Sequence, residues 1–232
     1  MKQIIDRERV NRNAMLSNIG SIGGLLMLLL SVLMPLFLPK TTSLSAILMI
    51  LGLGISMVGI YFANRWVRKP RPEERLDKAL KGLSDGYVLF HYPRLAADHI
   101  LLSPTGVTVL ETVNLGGVYS FINGKWKESM TIGRALRYIV EEHLGNPTRA
   151  AADSARDLQQ KLTQSKDLTV KIPVKAMVVF THPTTQLDIQ KTPVPVCLVE
   201  KLRKQVEDSG VKLPPEDYDQ VRDYLESVTR WK

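Results

Sequence analysis

Two stretches without a charged side chain, residues 13–39 and 41–64, constrain this chain more than any other feature. Each exceeds the roughly 20 apolar residues that cross a bilayer core as a helix. The first contains Gly23-Gly24-Leu25-Leu26-Met27-Leu28-Leu29-Leu30, a block with no polar face. Helices of a water-soluble domain keep charged positions over such lengths, which argues against a pair of buried core helices. The connection Pro39-Lys40-Thr41-Thr42-Ser43 is short, so the stretches are expected to form an antiparallel helical hairpin. A second span so close behind the first is unlike a cleaved signal peptide.

Charge sorts to the ends of this hairpin. Lys2, Arg7, Arg9 and Arg12 precede it, Arg65, Arg68, Lys69, Arg71 and Arg75 follow it, and the connection holds only Lys40. The positive-inside rule then places both ends in the cytoplasm. Tyr61 and Trp66 suit the interfacial belt, and the basic residues after the second stretch lie where anionic head groups would meet them. The expected division is a cytoplasmic tail 1–14, a transmembrane hairpin 15–66 with spans of about 16–38 and 44–64, a linker 67–72 marked by Pro70 and Pro72, and an α/β domain 73–232. Such an integral membrane protein, with both termini cytoplasmic, fits a prokaryotic inner membrane. The net charge of +8 suits nucleic acid or anionic lipid and is silent on fold. The single cysteine, Cys197, excludes an internal disulfide and sits in an apolar run as a small core residue would. It and four scattered histidines give no zinc spacing.

Past the linker, residues 73–83 read as an amphipathic helix with Leu76, Leu80 and Leu83 on one face. Tyr87-Val88-Leu89-Phe90-His91-Tyr92 reads as a strand. Two β-branched runs then flank Ser103-Pro104-Thr105-Gly106, residues that favour a type I turn, so 97–114 reads as a β-hairpin. Asp98 starts its first strand and Glu111 ends its second, and these ends meet where two carboxylates can share a divalent cation. If Pro104 and Thr105 alone form the loop, Asp98 faces Glu111; if Gly106 adds a bulge, it faces Thr112. One residue of slip changes the face of the sheet, and both registers suit the residues. Asn123-Gly124 marks a second hairpin. A helix is expected over 146–164 with Ala150, Ala151, Ala155, Leu158 and Leu162 inside, then strands at 174–180 and 195–199, a helix to about Val206, and a last helix opening at Pro214-Pro215. The order is that of an α/β fold.

Ala97-Asp98-His99-Ile100, Pro104-Thr105-Gly106-Val107 and Glu111-Thr112 resemble the nuclease-related domain, the NERD family of the PD-(D/E)XK nuclease superfamily. That family's pattern is an Asp in a hydrophobic strand, a Pro-x-Gly turn, a second hydrophobic strand and Glu-x-Lys. The resemblance covers about 73–204 and includes the acidic opening helix, the Gly116-Gly117 to Trp126 hairpin, the Asn146-Pro147 helix start and Val178-Val179-Phe180. Two positions depart from it: Val113 stands at the motif lysine, and Ala150 at the last position of the family's Asn-Pro-x-x-Gln.

The resemblance implies a restriction-endonuclease-like mixed sheet flanked by helices. It implies metal-assisted phosphodiester hydrolysis, with Asp98 and Glu111 holding Mg²⁺ or Mn²⁺ and Glu73 or Glu74 as a third acid. The motif lysine shares the strand face of the acid two residues earlier and supports the nucleophile, a role valine cannot fill. The expectation is therefore weak metal binding in a catalytically degenerate, membrane-anchored module that binds nucleic acid or a protein partner. An active metal-dependent nuclease with a rearranged site, or a membrane scaffold without a nucleic-acid role, are the alternatives. Lys125 and Lys127 are the candidates to replace the lost amine, and Val113→Lys is expected to restore cleavage. His99 reads as structural and Trp126 as core.

Overall fold

The computed structural model describes residues 1–129, 143–165, 172–207 and 211–229. Its described residues include a helical unit, 7–71, and an α/β unit formed by residues 1–6, 72–129 and the described chain from Leu144 onward.

The helical unit is α1 (Arg7–Phe37), a short 3-10 turn (Pro39–Thr41) and α2 (Thr42–Trp66). α1 begins well before its expected span, since the polar residues ahead of the apolar window continue the helical turn, and α2 passes its expected span at both ends. Each is long and apolar enough to cross a membrane, with a window of mean hydropathy 2.2. Small residues let the two backbones approach. A side chain at Gly24 would collide with the backbone of Ser56, and one at Gly59 with that of Gly20 and Ser21. Ser17 Oγ donates to the Gly59 carbonyl at 3.0 Å, and Ser45 Oγ donates to that of Ser31. Packing of small residues tied by hydroxyls is how helices associate where lipid supplies no hydrophobic drive.

The α/β unit holds a six-stranded sheet and a three-stranded one. The first comprises β1 (Lys2–Ile5), β2 (Val88–His91), β3 (His99–Ser103), β4 (Gly106–Val113), β7 (Val174–Phe180) and β9 (Val196–Leu198), in the order β1-β2-β3-β4-β7-β9. The pairs β2–β3 and β3–β4 are antiparallel; β1–β2, β4–β7 and β7–β9 are parallel. The second sheet is β6 (Lys125–Glu128), β5 (Gly117–Ile122) and β8 (Thr185–Ile189). Asn123 and Gly124 join β5 to β6 with φ of 52° and 76°, the double positive φ that a type I′ turn requires. The helices are α3 (Pro72–Leu80), α4 (Pro147–Gln164), α5 (Val199–Val206) and α6 (Pro215–Thr229). Asn146 caps α4, its side-chain oxygen accepting from Arg149 N–H at 3.1 Å, and Pro147 fills the first turn.

Strand alternation sorts the core into layers. Val88, Phe90, Ile100, Leu102, Val107 and Val109 pack beneath Leu158 and Leu162 of α4 and Val221 and Leu225 of α6. On the opposite face Leu89, Leu101 and Leu110 meet Leu76 and Leu80 of α3 and Leu202 of α5. Ala150, expected on the inner face of α4, is exposed; the buried stripe is Ala151, Ala155, Leu158 and Leu162, which keeps the helical period.

The expected tail 1–14 divides differently. Lys2–Ile5 is the edge strand of the six-stranded sheet, paired with Val88–His91, and α1 begins at Arg7. Ile4 is buried in the layer under α4 and α6, Lys2 Nζ lies 2.7 Å from Glu226 Oε1, and Asp6 N–H donates to the His91 carbonyl at 3.2 Å. Four residues are too few to display a period of two, so the strand reads as a charged tail until its partner is known. A fragment beginning at Pro72 therefore lacks part of its own sheet. Burying one isoleucine is worth about 1.5–3 kcal/mol. In urea melts that fragment is expected to be less stable by at least this amount than one in which residues 1–6 are joined to Pro72 by a flexible linker.

Candidate functional site

The β3–β4 hairpin positions the two motif acids. Ser103 pairs with Gly106, so Pro104 and Thr105 alone form the loop. Ser103 Oγ ties it by donating to the Gly106 carbonyl at 3.0 Å and accepting from Thr105 N–H at 3.3 Å. The ladder runs to Ile100 opposite Val109; Asp98 lies just before β3, outside the paired residues, and Glu111 pairs with Val178 of β7. Ile100 and Val109 belong to the layer under α4 and α6, so by alternation Glu111 lies at the rim of that face, with Asp98 one residue outside β3. Both are half-buried.

The same end of the sheet carries another carboxylate. Asp6 continues the β1–β2 ladder through its bond to His91, which sets it level with Tyr92, and Tyr92 N–H donates to the Asp98 carbonyl at 2.6 Å. Asp6, Tyr92 and Asp98 thus lie one residue beyond the ends of β1, β2 and β3. Sequence reading missed Asp6 because it missed the strand. Asp98 is two strand spacings away and Glu111 three, about 9–10 Å and about 14 Å, too far for Asp6 to share an ion with either. Among the described residues no group of three or more His, Cys, Asp or Glu is placed to hold a metal ion. A divalent ion would have the Asp98–Glu111 pair as its protein donors, a set suited to weak binding.

The third-acid candidates sit on α3, whose leucines pack on the other face of the sheet. Glu73 is buried, and its Oε2 accepts from the Tyr92 hydroxyl at 2.8 Å; Glu74 is half-buried. Beside them is a polar network that the sequence did not announce. His91 and His99 form a cross-strand pair, each 1% exposed, with Nδ1 atoms 2.9 Å apart, and His91 Nε2 lies 3.0 Å from Asp77 Oδ1. One Nδ1 must donate and the other accept, so the two tautomers are coupled. His99 lies on the α3 side, turned from Asp98 as alternation requires.

Val113 occupies a different environment from a hydrated amine. It is 8% exposed and belongs to a cluster with Leu115, Tyr119, Ala151, Val178 and Phe180. Lys125 and Lys127 do not reach it. Both are exposed on β6 and alternate with Trp126, whose ring packs on Phe121 and Phe180 and whose Nε1–H donates to Thr148 Oγ1 at 3.1 Å. The inward positions of that strand are thereby taken by the aromatic core. Cys197 is a core residue: burial pushes its thiol up to about 12, and its Sγ lies 3.9 Å from Met177 Sδ.

A family model, the nuclease-related domain (NERD), matches residues 70–181. That segment is similar to the nuclease-related domain family. The match takes in α3, β2 to β6, α4 and β7, and therefore the Asp98–Glu111 hairpin. Strand β1, which completes the nuclease-related domain's sheet, lies outside it, as do β8, β9 and the last two helices. No curated protein and no solved structure matches the chain.

The burial of Val113 reverses one expectation about this nuclease-related domain. A lysine there would enter an apolar cluster, where desolvation lowers its pKa. Val113→Lys is expected to destabilise the fold at neutral pH without restoring cleavage. The unfolded lysine, with a pKa near 10.4, would bind more protons than the folded one, so stability should rise with pH toward that value. Urea melts of the variant and wild type between pH 7 and 10 check the sign.

Proposed function

We propose that this protein is a membrane-anchored, catalytically degenerate nuclease-related module that binds nucleic acid without cutting it. The observation that carries this reading is Val113, buried in an apolar cluster at the position where the family places its lysine. Valine at that place on β4 offers no amine to steady an attacking water or the charge that builds on phosphate. Removing one group aimed at a transition state commonly costs about 10²–10³ in rate. Asp98 and Glu111 would hold Mg²⁺ or Mn²⁺ weakly, and such an ion, when bound, would neutralise and polarise a phosphate. The net charge of +8 supports a polyanionic partner.

Three features support the anchor. The apolar side chains of α1 and α2, among them Leu25, Leu29, Leu36 and Ile50, are exposed, as lipid-facing residues are. Strands β1 and β2 flank the hairpin in sequence and share one sheet, so both ends of the hairpin leave on the same side of any membrane it crosses. The basic residues on those ends make that side the cytoplasm, in a cell such as a prokaryote with one inner membrane to cross. Reporter fusions after Asn64 and at the C-terminus are both expected to report the cytoplasmic side. An external signal from either would overturn the topology.

Binding is tested with the full chain in nanodiscs and a fluorescent DNA duplex. The expected result is an affinity that falls steeply with salt, with log K declining by about 0.9 per phosphate contact for each decade of salt. No binding at low salt would leave a protein partner or a plain scaffold, and would remove the nucleic-acid role.

A further inference from the structure

Tyr92 is the point where the buried polar network meets the motif acids. Its φ is 57°, the left-handed region that a bulky residue seldom occupies, and the other such non-glycine residue, among those described, is the turn residue Asn123. Conformations of this kind persist only where the surroundings over-determine them, and they gather at functional sites. Tyr92 is held at both ends. Its N–H donates to the Asp98 carbonyl at 2.6 Å, and its hydroxyl donates to Glu73 Oε2 at 2.8 Å. Its ring lies 5.1 Å from that of His99, whose own Nδ1 is 2.9 Å from His91 Nδ1. Both Tyr92 and Glu73 are 2% exposed. A carboxylate so buried is costly unless bonded, and the phenol supplies one bond it needs.

We infer that Glu73 and Tyr92 are positioning residues: Glu73 anchors the phenol, and Tyr92 fixes the main chain of Asp98 where β3 begins. The clamp sets which face Asp98 takes, because a one-residue slip at that strand end would turn its carboxylate from Glu111 toward α3. Glu73 then serves the site through Tyr92 and is not itself an ion ligand. This inference rests on the reading of Asp98 and Glu111 as a weak divalent-ion pair.

The test compares four full-length proteins in nanodiscs by Mn²⁺ titration: wild type, Tyr92→Phe, Glu73→Leu and Glu73→Gln. Glutamine keeps an acceptor for the phenol and loses the charge. Partners that orient a ligand typically cost about 10–100-fold in metal affinity when removed. Tyr92→Phe and Glu73→Leu should each weaken Mn²⁺ by about that factor, while Glu73→Gln stays near wild type. Hydrogen exchange at the residue-92 amide should quicken in the first two variants and not in the third. If Glu73→Gln is as damaging as Glu73→Leu while Tyr92→Phe binds normally, Glu73 is a direct ligand and the inference falls. It falls equally if no variant moves either readout. A wild type that binds no Mn²⁺ would remove the ion-pair reading, and the exchange pattern alone would then decide whether the clamp exists.

Discussion

The pairing of Lys2–Ile5 with Val88–His91 is the constraint on which the rest of the molecule depends. It closes a parallel ladder between a strand that precedes the helical hairpin in sequence and one that follows it. The joint is short: the last ladder bond is donated by Asp6, and α1 starts at the next residue. A loop that long costs entropy to close, but the cost grows only slowly with length. Ile4 in the core and the Lys2–Glu226 pair act against it. The family match begins at residue 70 and leaves this strand out, so the domain as it folds here is larger than the domain as it is recognised.

Across the same sheet, packing and chemistry compete at the C-terminal end of β4. Glu111 and Val113 share a face, yet the first ends half-buried at a rim and the second sits under Tyr119 and Phe180. The aromatic contacts of Trp126 with Phe121 and Phe180 close that cluster from the second sheet. Once these rings are in place the position favours a branched apolar side chain, and a charged amine would have to displace them.

Much of this was legible in the sequence where a local signal is strong. The apolar run 174–180 is β7 with the same limits, Asn123-Gly124 makes its turn, and Asn146-Pro147 caps its helix. What stayed hidden depends on partners distant in sequence. Lys2–Ile5 and Thr185–Ile189 are short strands whose pairing alone identifies them. The loop length was open because both choices suit Ser103-Pro104-Thr105-Gly106, and the Ser103–Gly106 pair shows that Pro104 and Thr105 alone form the loop. The Asp77–His91–His99 network could not be read, since three polar residues spread over a helix and two strands carry no spacing.

The central claim is that a nuclease-related fold persists here with its catalytic amine replaced by core. Nicking of supercoiled plasmid by the full-length protein with saturating Mn²⁺, compared with Glu111→Ala, tests it most directly. The account predicts that both proteins give only the background rate. Strong cleavage by the wild type that Glu111→Ala abolishes would contradict it.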